Sequence, residues 1–264
     1  MDQFMRFAEV KTGSVKINRK DLTLEFDVPF DDDMEPNESV ISVYNLSRNT
    51  INQLKGKEKI TLNAGYKQDH GVLLSGYISK VETKNNKPDL VTTIYVLDAK
   101  PFDTKKTVKK NYKKGIKASF VLNDLTASLG LKVGVLKLPK DKVYAKGYSV
   151  NGETIEALNK IANDCGASVY INKGQVYIRS LKEGDDSRFK LTSDTGLIDS
   201  PEPFEEDING KIIKGFKVKC LLQYRLTTAS IVEIDSKTAK GKYRVKKGRH
   251  YWNGNSFYTE MEVI

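Results

Sequence analysis

The chain has 264 residues, of which 71 are Leu, Ile, Val or Phe, and a formal net charge of +10. That apolar share exceeds the ~20% below which a charged chain fails to bury a core, and the length suits one or two domains of roughly 100–200 residues. No apolar run approaches the ~18 residues of a membrane-spanning helix. Met1 to Val10 carries Asp2, Arg6 and Glu9 where a signal peptide would be apolar, so the sequence argues against bilayer residence and against export by that route.

The first hundred residues read as strands. Leu22, Leu24, Phe26 and Val28 alternate with polar positions, the period-two pattern of a half-buried strand. Asp27-Val28-Pro29-Phe30 breaks that run, and the acidic stretch through Pro36 and Asn37 reads as a turn. Val40, Ile41, Val43 and Tyr44 form the next strand. Asn45-Leu46-Ser47 then caps a single helical turn over Thr50 to Leu54. Ile60, Leu62 and Ala64, then Val72 to Val81, then Leu90 to Leu97, complete about five strands of a small barrel or sandwich.

Eight lysines (100, 105, 106, 109, 110, 113, 114, 117) against the single Asp103 concentrate most of the net charge between Lys100 and Lys117. Three readings fit this segment: a solvated connector whose lysines discourage edge pairing, a phosphate-touching patch, or a docking strip for an acidic partner. It contains no arginine, and its aromatics are only Phe102 and Tyr112, which is thin equipment for bidentate phosphate contacts or base stacking. Acidic stretches occur in the same chain at Asp31-Asp32-Asp33-Met34-Glu35 and Glu205-Glu206-Asp207. The candidate electrostatic contacts between subunits are therefore Lys105, Lys106, Lys109, Lys110, Lys113 and Lys114 on one side, and Asp31, Asp32, Asp33, Glu205 and Glu206 on the other.

Beyond Lys100 the period changes. Ala118, Val121, Leu122, Leu125 and Leu129 share one helix face that stops near Gly130. Ile155, Leu158, Ile161, Ala162 and Cys165 do the same, with Gly166 placed as the left-handed cap. A hairpin follows, Ser168 to Ile171 and Gln175 to Ile178 about a turn at Asn172-Lys173-Gly174. Strands then return: Phe216, Val218 and Cys220 alternate, and Ile231 to Ile234, Tyr243 to Val245 and Phe257 to Ile264 follow. The expected fold class is α+β and mainly β, divided as a β domain over 1–100, an α+β insertion over 101–187 and a second β domain over 188–264.

Catalytic vocabulary is thin. Two histidines and two cysteines at wide spacing do not make the usual local zinc ligand pairs, and Cys165 and Cys220 read as buried thiols of an intracellularly made protein. The chain lacks GxSxG, HExxH, Walker-type and GxGxxG motifs. Asp31, Asp33 and Glu35 have the first spacings of a calcium loop, but Pro36 stands where that loop needs Gly and Ser42 where it needs Glu. Glu153 and Glu156 sit at a helix start, where carboxylates complement the dipole. His250 reads as a surface or edge residue, and His70 as a turn residue. No catalytic residue, metal or cofactor is expected.

The runs Phe26 to Asp33, Val43-Tyr44-Asn45-Leu46-Ser47 and Leu62-Asn63-Ala64-Gly65-Tyr66, with Gly71 and Gly76, resemble the N-terminal domain of baseplate hub proteins from long-tailed phages and related contractile tail particles. Lys219 to Leu226, Gly241 to Val245 and Arg249-His250-Tyr251 are similar to that family's last domain, and Thr154 to Gly166 with its hairpin fits the module between. The chain departs from the pattern at Gln223-Tyr224, where an Asn-Pro is expected, and at Ala229, where a Gly usually precedes the strand.

The resemblance implies two tail-tube-like β-barrel domains flanking a small α+β insertion. It implies a homotrimeric ring whose six barrels meet the hexameric tail tube on one side and a trimeric spike or tip protein on the other. Other baseplate proteins would be neighbours, and DNA or a tape-measure protein would pass through the channel. Such a protein would be made in the bacterial host cytoplasm and reside in the distal baseplate of the virion tail. The chain is short for a hub, so a hydrolase or spike module is expected on a separate polypeptide. Two other classes remain open at the level of sequence: nucleic-acid binding through Lys100 to Lys117, and a tail-tip cell-wall hydrolase using a carboxylate pair that nothing in the sequence selects.

Overall fold

A computed structural model describes residues 5–172, 174–208 and 211–264. Contacts divide the chain into two compact units, one formed by residues 1–31, 37–98 and 184–264, the other by 32–36 and 99–183.

The first unit begins with β1 (Arg6–Thr12), β2 (Val15–Asn18), β3 (Leu24–Phe30), β4 (Glu38–Tyr44), the short helix α1 (Arg48–Gln53), β5 (Lys59–Tyr66), β6 (Asp69–Asn86) and β7 (Asp89–Leu97). The alternation read in sequence is realised in β3, where Leu24, Phe26, Val28 and Phe30 are all buried. That strand runs through Pro29 instead of breaking at it. Pairing of β3 with β4 ends at Asp27, so Pro29 faces a partner strand on one side only, a position that tolerates the missing N–H. Ser47 caps α1 as expected, its hydroxyl accepting from the Thr50 N–H at 3.1 Å.

The second unit contains β8 (Thr107–Tyr112), β9 (Ile116–Lys117), α2 (Ala118–Ser128), β10 (Val133–Lys137), β11 (Val143–Tyr144), β12 (Tyr148–Glu153), α3 (Thr154–Asp164), β13 (Ser168–Asn172) and β14 (Gln175–Arg179). The lysine segment is therefore partly strand: Lys109 and Lys110 lie in β8, which pairs antiparallel with β12, and Lys117 lies in β9, which pairs with β11. Lys113 and Lys114 sit in the turn between, and Lys100, Lys105 and Lys106 precede β8. Val121, Leu122 and Leu125 of α2 pack with Leu158, Ile161 and Ala162 of α3 over the sheet β10-β14-β13. Gly166 adopts φ +74 beyond α3, the cap its position indicated. The expected hairpin is β13–β14; Lys173 of its turn lies outside the described residues. Met34 carries the acidic turn into this core, and the Asp33 carbonyl accepts from the Ile171 N–H at 2.8 Å.

The chain then returns to the first unit as β15 (Asp185–Leu191), β16 (Leu197–Ile208), β17 (Lys211–Leu221), β18 (Ser230–Asp235), β19 (Lys240–Trp252) and β20 (Phe257–Val263). Its strand order is β16-β17-β20-β19-β3-β4-β7-β6-β5-β1-β2, with β18 on β19 and β15 on β18. The joint between early and late strands is β19 against β3, in register from Gly248↔Phe30 to Trp252↔Phe26.

This unit holds two apolar cores. One gathers Val10, Ile41, Leu62, Ile78 and Ile94. The other gathers Leu191, Val218, Val232, Val245 and Val263. Each borrows from the other half of the sequence: Trp252 and Phe257 enter the first core, and Phe30 enters the second. Among the described residues no helix is long and apolar enough to cross a membrane.

Candidate functional site

The candidate lysines separate into two groups. Lys106 reaches the Ser128 carbonyl at the C-terminal end of α2, where a cation complements exposed carbonyls. Lys110 pairs at 2.7 Å with Asp124, which also accepts from the Tyr112 hydroxyl at 2.7 Å. Those two bonds hold the Asp124 carboxyl below its usual range, while burial and Asp124 push the Tyr112 phenol up. Lys105, Lys109, Lys113 and Lys114 are exposed and form no ion pair among the described residues.

The candidate acids are already engaged. Glu205 pairs with Lys214 at 2.6 Å, and Glu206 pairs with the buried Lys246. Asp33 accepts from the Glu35 N–H at 2.7 Å, and Asp32 also has a partner within the chain. Asp31 accepts from the Asn37 amide at 3.3 Å, and that amide also donates to Asp98 at 3.2 Å. Burial raises the Asp98 carboxyl to about 6 against the opposing bonds from Asn37.

A charge lattice that the sequence reading passed over covers the face of β16, β17, β20 and β19. One cross-strand row runs Glu202, Lys217, Glu262, Lys247, and the next runs Lys219, Glu260, Arg249. Arg249 donates twice to Glu260 at 3.0 Å and reaches Asp27 at 3.4 Å. Lys219 lies 3.3 Å from Glu260, and Lys247 3.3 Å from Glu262. Opposite charges directly across a sheet stabilise the pairing. The available signal was like charge at i and i+2: Lys217/Lys219, Lys247/Arg249 and Glu260/Glu262.

Beside this lattice β16 slips register between Ile198 and Glu202, with Asp199 at φ +61, and a cavity of about 630 Å³ opens. Phe30, Val218 and Met261 line it together with lattice residues. Burial works to raise the Glu260 carboxyl, but Arg249, Tyr251 and Lys219 hold it below its usual value. A carboxylate held ionised by three donors is a weak base and a poor proton donor.

The Gln223-Tyr224 departure has a structural role. Gln223 is buried, its N–H donates to the Thr259 hydroxyl at 3.0 Å, and its side-chain oxygen accepts from Arg225 at 2.9 Å. Arg225 then pairs with Asp69 and lies 4.4 Å above the Tyr224 ring. Ala229 takes φ +62, the conformation that a glycine at this position would adopt freely.

His250 is not at the surface. It lies inside β19, buried between β20 and β3, with Nδ1 2.8 Å from the Thr259 hydroxyl. Burial lowers its pKa to about 3, so the ring is neutral and structural. His70 is exposed at the start of β6, its ring centroid 4.0 Å from that of Phe7 with the planes tilted by 32°. Cys165 and Cys220 are free, buried thiols, as read.

No curated protein matches the chain by sequence. Solved structures of similar fold include a tail protein from Neisseria meningitidis MC58, 12% identical with a TM-score of 0.67, covering 98% of this chain and 96% of that one. The 43 kDa tail protein of prophage MuSo2 from Shewanella oneidensis has 8% identity and a TM-score of 0.70, covering 98% and 96%. The E. coli c3393 protein, a type VI secretion component described as structurally similar to T4 bacteriophage tail proteins gp27 and gp5, has 8% identity and a TM-score of 0.61, covering 97% and 76%. At these identities the likeness is one of fold. The sequence itself matches the baseplate hub gp41 family over residues 37–248, and the chain belongs to that family of phage tail baseplate proteins.

Proposed function

We propose that three copies of this chain form a ring that joins a hexameric tail tube to a trimeric spike or tip and leaves a central channel. The observation that carries this reading, beside the family itself, is the pair of apolar cores along one sheet. Two β domains per chain, bounded near residues 1–100 and 188–264, supply six barrel-like units in a trimer, matching sixfold symmetry on one side and threefold on the other. The insertion over 101–187 is assigned the contacts with other baseplate proteins. The work is positional: nucleating the tube and letting DNA or a tape-measure protein through, with no turnover.

In this reading Lys105, Lys109, Lys113 and Lys114 are contact residues, whereas Lys106 and Lys110 hold the insertion together. Glu205, Glu206 and Asp31 to Asp33 serve their own chain first, so the free lysines look to carboxylates elsewhere. The virion location is the distal baseplate, after synthesis in the host cytoplasm. Electron-microscopic reconstruction of the native particle tests the proposal. Three copies in a ring between tube and spike are expected; six copies, or absence from the tail, would refute it.

A further inference from the structure

The N-terminal end of α2 carries a feature that the fold does not use. Lys117 is paired in register with Val143, and the Tyr144 carbonyl accepts from both the Gly115 and Gly147 N–H groups at 2.9 Å. The turn bearing Lys113 and Lys114 is thereby fixed beside the turn bearing Lys146. Lys113, Lys114, Lys117 and Lys146 are all exposed and form no ion pair among the described residues. Nearby acids are occupied: Asp141 accepts from the Ser119 N–H and hydroxyl at 2.9 and 2.8 Å, Asp124 holds Lys110, and Asp164 holds Lys142 at 2.8 Å. Two apolar side chains that flank Lys117 are also exposed: Phe120 in the first turn of α2, at 58%, and Val143, the partner of Lys117 across the β9–β11 ladder, at 54%. Neither is needed to bury α2, whose inward face is Val121, Leu122 and Leu125.

We propose that this surface docks an acidic polypeptide segment of a different tail protein, whose carboxylates meet the four lysines and whose apolar side chain covers Phe120 and Val143. The inference rests on the hub reading and names one partner surface within it. The turns fix where the four side chains leave the backbone, so their positive charges are gathered before binding and a carboxylate-bearing partner relieves their mutual repulsion, though the flexible stems must be ordered on contact. A nucleic acid fits less well, because the patch offers no arginine fork, a single aromatic ring and an aliphatic residue that bases do not stack on. A lipid surface fits less well too, since the apolar face of α2 is spent in the core and two side chains make a small anchor. A second copy of this chain is disfavoured by its engaged acidic stretches.

Carbodiimide coupling of native tails, read by mass spectrometry, tests this directly, because it joins an amine to a carboxylate only at ion-pair distance. The Lys214–Glu205 pair serves as internal control. Expected are links from Lys113, Lys114, Lys117 or Lys146 to Asp or Glu of another polypeptide. In addition, the triple variant K113E/K114E/K146E should melt like the parent yet be retained in purified tails roughly tenfold less. Links from these lysines to a second copy, coupling of the control pair alone, or full retention of the variant would each overturn the docking surface. So would loss of duplex DNA binding in the variant with retention unchanged. Absence of the chain from tails altogether would instead overturn the hub reading.

Discussion

The guanidinium of Arg225 grips the carboxylate of Asp69 with two parallel bonds, 2.6 and 2.9 Å, joining the loop after β17 to the β5–β6 turn. Arg225 also covers the Tyr224 ring, and that ring leaves no room at Gly71, where an added Cβ would meet it at 2.3 Å. The residues that depart from the family pattern thus clamp early sequence to late sequence. The Asp69 carboxyl is held below its usual range by Arg225, against burial.

Gly71→Ala should destabilise the protein by about 1–3 kcal/mol through this overpacking. If the clamp is the cause, Tyr224→Ala in the same chain should recover most of that loss. Denaturant unfolding of the two singles and the double gives the coupling directly. Additive effects would show that Gly71 answers to its own backbone and not to Tyr224.

Ala229 holds a left-handed conformation at φ +62 while fully buried. Its carbonyl accepts from the Asp185 N–H at 2.8 Å, and its own N–H donates to the Val245 carbonyl at 2.8 Å, so the backbone is not free to relax. An L-residue there costs roughly 1–2 kcal/mol relative to the right-handed region. Ala229→Gly removes that cost but loses a buried methyl and gains unfolded-state freedom, leaving a net stabilisation of about 0.5 kcal/mol. A β-branched Ala229→Val should be worse than wild type by more than about 2 kcal/mol. Thermal melts of the three proteins should order as Gly, Ala, Val.

Much of the fold was legible where one face is apolar and the other polar: β3, β4, β5, β7, α2, α3 and the β13–β14 hairpin follow directly from their periodicity. Where it failed, charge was the reason. In β1 the buried run is Ala8, Glu9 and Val10, and Glu9 is tolerated only because Lys11 and Lys16 reach it at 2.6 and 2.8 Å. That partner set crosses from β1 to β2, and a pattern count along one strand does not see it. The lysines of β8 hid a strand in the same way, since Val108 and Tyr112 are its only inward apolar residues. The lattice of β17, β19 and β20 needed strand order and register before its opposite charges fell into line. His250 was misread because a buried, neutral histidine depends on neighbours across two strands.

One buried group and one half-buried group give stability opposite pH slopes. His250 has a folded pKa of about 3 against an ordinary value of 6.5, so below 6.5 the unfolded chain takes up a proton that the folded one refuses. Stability from this group is complete above 6.5 and falls by up to ~1.4 kcal/mol per pH unit as pH drops toward 3. Asp98 works the other way: with a folded pKa near 6 against 3.8, the folded chain binds the proton first, and stability rises as pH falls through that window. Asp98→Asn removes only the second effect. Between pH 6 and 4 the variant should therefore lose stability more steeply than wild type. Parallel profiles would mean that Asp98 is not the group titrating there.

Glu260 is the hub of the charge lattice, accepting from Arg249, from the Tyr251 hydroxyl at 3.0 Å and from Lys219. Glu260→Gln keeps the shape and one acceptor but leaves Lys219 and Arg249 facing each other without a carboxylate between them. The expected loss is about 1–2 kcal/mol at low ionic strength, discounted for the partial exposure of the partners. Because the cause is repulsion between partly solvated cations, the gap between variant and wild type should narrow in 1 M salt, where screening acts over roughly 3 Å. It should also close on acidification. The Glu260 carboxyl sits below its usual value when folded, so its contribution is present above the ordinary carboxylate range and is lost as pH falls through its folded pKa. Unfolding curves at two salt concentrations and two pH values separate the cases. A loss indifferent to both would assign Glu260 to hydrogen-bond geometry and remove charge from the account of this surface.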